Sequence, residues 1–150
     1  MKIIIHRGTH EIGGTCIEVI SGQTRLILDV GLPLVNADRK PFDSKVIKGK
    51  TIEDLIAQKI APNVPGLFTD GEAPDAILLS HSHLDHSGLL HLTRSEIPIY
   101  ATSGASKMML AGAVFSRQKE LDRNRHREVK AKQIFMVGEM KITPFAVDHS

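Results

Sequence analysis

The sequence predicts a mixed α/β domain of the α+β kind, with a sheet that begins antiparallel. Three observations lead there. Short β-branched and apolar runs at residues 2–5, 15–20 and 24–30 are separated by glycine-bearing turns, as in strands that fold back on one another. Residues 75–79 (D-A-I-L-L) form a further apolar run, long enough for a buried strand and too short for a helix. Helical periodicity appears at residues 51–60 and again at 104–122.

Taken in order, residues 2–5 are a strand, and Gly8, Gly13 and Gly14 mark the loop that returns the chain. Ser21, Gly22 and Gln23 form a hairpin turn between the next two strands. In the returning strand Leu26 and Leu28 face one way, and Arg25, Ile27 and Asp29 the other. Asp29 ends this strand ahead of Gly31 and Pro33, where a carboxylate commonly caps a turn. Residues 32–50 lose periodicity and gather Pro33, Asn36, Asp38, Pro41, Asp43 and Gly49, a loop suited to lining a substrate entrance. Thr51 opens a helix with a capping-box pattern to Asp54, with Ile52, Leu55, Ile56 and Ile60 on one face and Pro62 closing it. Residues 63–74 then approach the central strand at 75–79. Residues 97–101 (I-P-I-Y-A) read as a strand, Pro98 placing it at an edge or at a strand start. Thr102 or Ser103 caps the long helix, in which Met108, Ala111 and Phe115 share a core face. Residues 133–137 and 140–147 form a last hairpin across Gly138 and Glu139, ending at Asp148, His149 and Ser150.

The chemistry concentrates at residues 80–88, S-H-S-H-L-D-H-S-G. His81, His83, Asp85 and His86 supply imidazole and carboxylate donors from one loop, a set that suits zinc and other divalent transition metals. A catalytic zinc takes about three protein ligands and keeps a place for water, so four donors in one segment favour a pair of ions. The economical division puts His81 and His83 on the first ion, and Asp85 and His86 on the second. Two ions roughly 3.5 to 4 Å apart can clamp the attacking and leaving oxygens of a displacement. The loop follows a strand and precedes a helix over residues 89–94 capped by Ser87 or Asp85, where α/β proteins place their sites.

His81-Ser82-His83-Leu84-Asp85-His86 matches the H-x-H-x-D-H signature of the metallo-β-lactamase superfamily, and its surroundings resemble the RNA-processing branch, the ribonuclease J-like and β-CASP nucleases. Residues 8–14 (G-T-H-E-I-G-G) resemble that branch's N-terminal G-x-x-x-E-I-G element. Residues 27–31 (I-L-D-V-G) resemble the strand carrying the family's first motif, and residues 147–150 (V-D-H-S) its third. The resemblance implies a four-layer αββα sandwich of which this chain is the N-terminal half, a mixed or mainly antiparallel sheet with helices on one face. It implies that Asp29 accepts the second N–H of a metal-bound histidine, and that His149 is a ligand of the first ion. The bridging aspartate, the last histidine and the β-CASP cassette of that family would follow Ser150, so residues 1–150 are expected to be an incomplete domain.

Composition bounds the rest. The chain of 150 residues is 41% hydrophobic and 24% charged, which fits a single globular core and excludes a disordered or low-complexity class. A net charge of +2 is too small to argue for nucleic acid by itself. Locally, residues 117–132 hold seven Lys or Arg against three Asp or Glu, a net of +4. Arg117, Lys119, Arg123, Arg125 and Arg127 suit a phosphate backbone, and equally a solvated helix end favoured by the helix dipole. The single Cys16 permits no internal disulfide and reads as a small buried side chain. No signal peptide or membrane span is visible, so the expected compartment is cytoplasmic and no membrane partner is expected. The functional expectation is a hydrolase using two zinc ions, or manganese, to cleave phosphodiesters, with RNA as substrate and Asp85 also taking a proton. The alternatives are an ester, thioester or lactone hydrolase, and an inactive fragment that binds metal weakly. A half-domain would expose the sheet face meant for its partner layer, which predicts homo-oligomers.

Overall fold

In a computed structural model of the chain, residues 1–116 and 123–147 are described. Strands β1 (Lys2–Arg7), β2 (Cys16–Ser21), β3 (Thr24–Leu28), β4 (Ala76–Leu78), β5 (Ile99–Thr102) and β6 (His126–Val129) form one sheet in sequence order. The β1–β2 and β2–β3 pairs are antiparallel, whereas β3–β4, β4–β5 and β5–β6 are parallel. The parallel half needs crossovers, and helices α1 (Ile52–Ala57), α2 (Leu84–Ser87) and α3 (Ser103–Ser116) lie in those connections. A second, two-stranded sheet pairs β7 (Phe135–Val137) with β8 (Met140–Ile142).

The two faces of the large sheet are covered differently. Ile27, Ile77 and Ile99 are fully buried on one face, beneath Leu55 of α1, Ala105 of α3, and the loop residues Leu67 and Leu89. On the other, Leu26, Ala76 and Tyr100 meet the β7–β8 hairpin, with Tyr100 stacked on Phe135 at 4.9 Å. Helices on one face and the start of a second strand layer on the other make a mixed α/β sandwich.

Local corrections follow from packing. β3 alternates as expected, with Ile27 toward the helices and Leu26 toward the hairpin, and both are buried because a central strand is covered on both faces. α1 has the expected Thr51–Asp54 capping box, but it ends at Ala57, before Pro62, and Lys59 stands in a left-handed conformation just past Gln58. β5 begins at Ile99, directly after Pro98, in keeping with the strand start that Pro98 marks. In α3 Met108 is 65% exposed, and Ala105 and Met109 face the core. Strand β6 falls within the charged run of residues 117–132, where neither residue type nor alternation signals a strand. The hairpin strands β7 and β8 are each shorter than the sequence suggests.

A polar cluster ties β1, β2 and β3 together on the helix-bearing side. The Glu18 carboxylate, 3% exposed, is bonded to His6 Nε2 at 2.9 Å and accepts from Arg25 Nε at 2.8 Å. Burial would raise this carboxyl, but the His6 and Arg25 hydrogen bonds and the charge of Arg25 outweigh it and hold it below the usual range. Cys16 is fully buried, and burial together with the charge of Glu18 pushes its thiol up to about 12, which excludes a nucleophilic role. On the opposite side of β1, Ile3 and Ile5 are 60% and 51% exposed. Among the described residues no helix is long and apolar enough to cross a membrane.

Candidate metal centre

β3 and β4 run parallel and end together, Leu28 opposite Leu78, and the residues just beyond their C-terminal ends build the site. Asp29 N–H donates to Leu78 O at 3.0 Å, and Asp29 adopts φ 60°, the left-handed region that Asp tolerates better than most residues. That turn brings its side chain across to the next strand end. Asp29 Oδ1 accepts from the Ser80 backbone N–H at 2.8 Å, and Oδ2 accepts from Ser80 Oγ at 2.8 Å.

The ligand loop is held by backbone. Thr15 N–H donates to Asp85 O at 3.1 Å, Val30 N–H to His86 O at 2.7 Å, and Leu32 N–H to Leu84 O at 2.9 Å. Gly31 lies so close that a Cβ there would sit 1.6 Å from Asp85 O, which explains glycine at this position without appeal to its φ. α2 starts within the loop, with His83 as its N-cap, so Asp85 lies inside the helix and Ser87 closes it. The helix expected over residues 89–94 is a single 3₁₀ turn, Leu90–Leu92. The Ser87 hydroxyl spends its proton on the carbonyls of Ser82 and His83.

Donor atoms of His81, Asp85 and His86 lie within 4.8 Å of one another. Within the group, His86 Nε2 and Asp85 Oδ2 stand 3.4 Å apart. Ligands at the usual bond lengths of about 2.0–2.2 Å on a tetrahedral zinc stand roughly 3.4 Å apart, so this spacing fits one ion. The His81 ring lies 4.0 Å from that of His86 and 4.7 Å from that of His83, centroid to centroid. Thus the nearest donor set spans both halves of the division expected from sequence, with His83 on its flank.

His86 Nδ1 is 2.7 Å from Asp29 Oδ2. A carboxylate only accepts, so the proton lies on Nδ1 and Nε2 carries the lone pair, the tautomer a metal requires. The Ser80 hydroxyl proton is already given to Asp29, so its oxygen accepts from His81 Nδ1 at 3.0 Å, which fixes the same tautomer there. The Asp29 side chain is 6% exposed and the Asp85 and His86 side chains 19% and 22%, an anchor beneath donors that face solvent. The donor chemistry, spacing and tautomers therefore fit a divalent ion. Ser80 carried no role in the sequence reading; its only signal was a hydroxyl next to the first histidine.

Other sequence candidates fall elsewhere. His149 lies outside the described residues, as do Arg117 and Lys119. Arg125 is 6% exposed, its guanidinium donating to Ile97 O at 2.9 Å and to Thr93 Oγ1 at 2.8 Å; it braces the 93–97 loop and is not presented to a phosphate. Arg123 is exposed, and Arg127 is exposed with one N–H on Asn124 O. In the E-I-G element, Glu11 pairs with the buried Arg7, whose guanidinium also reaches Ile60 O. Burial opposes ionisation of Glu11, but the Arg7 hydrogen bond and charge keep its carboxyl below the usual range.

Residues 50–150 match the beta-lactamase superfamily domain. Over 112 residues the chain is 28% identical to a probable RNase of Methanocaldococcus jannaschii, covering 73% of this chain and 21% of that protein. Among solved structures, a protein of unknown function from Enterococcus faecalis aligns with TM-score 0.69 at 21% identity, over 93% of this chain and 36% of that one. A B3 metallo-β-lactamase with an active-site glutamic acid aligns with TM-score 0.51 at 16% identity, over 89% and 46%. The chain thus spans only about a fifth to a half of the length of these relatives, and the two structural likenesses speak to the fold. With the family match covering two thirds of the sequence and a metal-competent donor set at its centre, the chain belongs to the metallo-β-lactamase superfamily.

Proposed function

We propose that the protein is a metal-dependent phosphodiesterase acting on RNA, of the ribonuclease J-like and β-CASP kind. The observation that carries the reading is the His81, Asp85 and His86 donor set, with Asp29 holding the proton of His86 on Nδ1. The RNA assignment draws support from the 28% identity to a protein named a probable RNase. His81, His83, Asp85, His86 and His149 are the proposed ligands of two zinc ions, with manganese as the substitute, and Asp29 and Ser80 orient the imidazoles. In the same reading, residues 1–150 belong to a longer cytoplasmic protein whose remaining ligands follow this stretch.

Divalent ions in such a site lower the pKa of water toward about 7 and offset charge on the phosphoryl oxygens. The chain's own groups do the rest. Attack of water forms one P–O bond and breaks the P–O bond to the leaving ribose oxygen, giving a phosphomonoester and a hydroxyl. Asp85, through the carboxylate oxygen other than Oδ2, takes the proton that the water loses, and the departing ribose oxygen takes one proton from solvent. Asp29 keeps His86 from turning, because its two oxygens are tied to Ser80 as well.

The test is hydrolysis of bis(4-nitrophenyl) phosphate beside 4-nitrophenyl acetate, with zinc content per chain measured by mass spectrometry. Expected is diester cleavage that tracks metal content and disappears in the His81→Ala, His83→Ala variant. Cleavage of the ester alone would sink the phosphodiesterase reading.

A further inference from the structure

Next to the ligand loop runs a groove of about 1060 Å³. That lies at the upper end of the roughly 300–1,000 Å³ of ordinary ligand sites. Its wall is continuous with the metal centre. Ile12 and Pro33 line the groove, and between them Gly13, bridged to Pro33, lies against the metal loop: a Cβ on Gly13 would be 2.9 Å from Asp85 Cβ.

Five charged side chains line this groove: Arg7, Glu11, Arg39, Asp43 and Lys59. Three are occupied. Arg7 and Glu11 form an ion pair, and Asp43 caps the 3₁₀ turn that follows it, accepting from Lys45 N–H at 2.9 Å. Neither Arg39 nor Lys59 joins an ion pair among the described residues, and with three cations against two carboxylates the groove lining is net positive by one charge.

Both cations also stand at positive φ, 59° for Arg39 and 57° for Lys59. Such a conformation costs a non-glycine residue on the order of 1 kcal/mol, and glycine would relieve it. Arg39 is held there deliberately: Asn36 Oδ1 accepts from the N–H groups of Asp38 and Lys40 at 3.0 and 2.9 Å, and Arg39 N–H donates to Asn36 O at 3.0 Å. Lys59 takes its positive φ as the left-handed end of α1, so ordinary local structure places both cations at the groove. Between the two cations along the chain, half-buried Phe42 lines the same groove.

We propose that this groove binds a single strand of nucleic acid running past the metal loop, with Arg39 and Lys59 on its phosphates and Phe42 under a base. A positive groove with an aromatic platform is the sequence-tolerant way of holding a single strand. The proposal rests on the phosphodiesterase reading for its choice of ligand, and its test does not depend on catalysis.

Binding of a fluorescein-labelled single-stranded oligouridylate to the chain is followed by anisotropy between 50 and 200 mM salt. The comparison is with the double variant Arg39→Gly, Lys59→Gly, in which glycine accepts the positive φ and the fold is kept. Two lost phosphate contacts lower the slope of log affinity against log salt by about 1.4, so over this range the wild-type affinity falls about sevenfold more than the variant's. A second double variant, Lys45→Ala, Lys48→Ala, removes equal charge just outside the groove and should leave the slope as in the wild type. Equal slopes for wild type and the glycine variant, an equal drop in the outside variant, or no wild-type binding at 50 mM would each overturn the proposal. Wild-type cleavage of bis(4-nitrophenyl) phosphate reports on the metal centre separately: cleavage with an unchanged slope fails the groove alone, and groove binding without cleavage fails the hydrolase reading alone.

Discussion

Replacing Asp29 by Asn tests the orientation of the metal ligands with little other disturbance. The amide has nearly the shape of the carboxylate, and Asn tolerates φ near 60° as well as Asp does. What changes is acceptor count. Oδ2 of Asp29 accepts from His86 Nδ1 at 2.7 Å and from Ser80 Oγ at 2.8 Å, while Oδ1 accepts from Ser80 N–H at 2.8 Å. An amide offers one accepting end. If the oxygen faces His86, the NH₂ meets the Ser80 N–H; if it faces Ser80 N–H, the NH₂ meets the His86 proton. In the second arrangement His86 loses its anchor and the reverse tautomer, with Nδ1 bare and Nε2 protonated, becomes favoured, which blocks the donor atom. Loss of such a partner lowers metal affinity by about 10- to 100-fold, or about 1.4 to 2.8 kcal/mol. Competition against a chromophoric chelator measures this directly, with the urea midpoint as a check on folding. Zinc affinity within twofold of wild type, in a folded variant, would refute the assignment of Asp29 to His86.

Three further outcomes are expected. Gly31→Ala places a Cβ 1.6 Å from Asp85 O, where ordinary contact begins at 3.4 Å. The loop must move by nearly 2 Å and release its three backbone hydrogen bonds, a loss of about 3 kcal/mol at ~1 kcal/mol each, and a urea midpoint that does not change would count against the close approach. Glu18→Gln should cost about 2 kcal/mol at neutral pH. Because the folded-state carboxyl lies below its ordinary 4.5, its stabilisation is present above that value and is lost as pH falls through the lower folded value, so the gap between wild type and variant must close in acid. A gap independent of pH would exclude the ion pair as its source. Finally, edge strand β1 with exposed Ile3 and Ile5 should make the chain self-associate, and Ile3→Lys, Ile5→Lys should return it to monomer; a wild type that sediments as a compact monomer would contradict this.

The sequence disclosed most where spacing carries chemistry or period. His81, Asp85 and His86 are near neighbours in the chain, so a single loop had to bring them together, and the Thr51 capping box depends on residues three apart. It disclosed less where a partner is distant. Nothing local says that the Arg125 guanidinium is buried under Thr93 and Ile97, so a run of cations looked uniformly solvated. Strand β6 was hidden for the same reason: its pairing with β5 supplies hydrogen bonds that the charged pattern H-R-E-V does not advertise. The Ser80 contacts depend on how β3 and β4 align in register. The helix expected after Gly88 failed because Leu89 and Leu90 are drawn into the core and Leu89 N–H is taken by Val30 O.

The backbone clasp on the ligand loop bears on when this protein can acquire metal. His86 and Asp29 are 57 residues apart, and the strands that end at Leu28 and Leu78 must be paired before either side chain meets the other. Contacts of such separation form after the local hairpins, once the entropy of closing the intervening chain has been met. A nascent chain that has made only the β1–β2–β3 meander therefore has no competent site, and metal capture reports completion of the parallel half of the sheet. Metal then stabilises that late state selectively, so its affinity adds to global stability and slows unfolding more than it speeds folding.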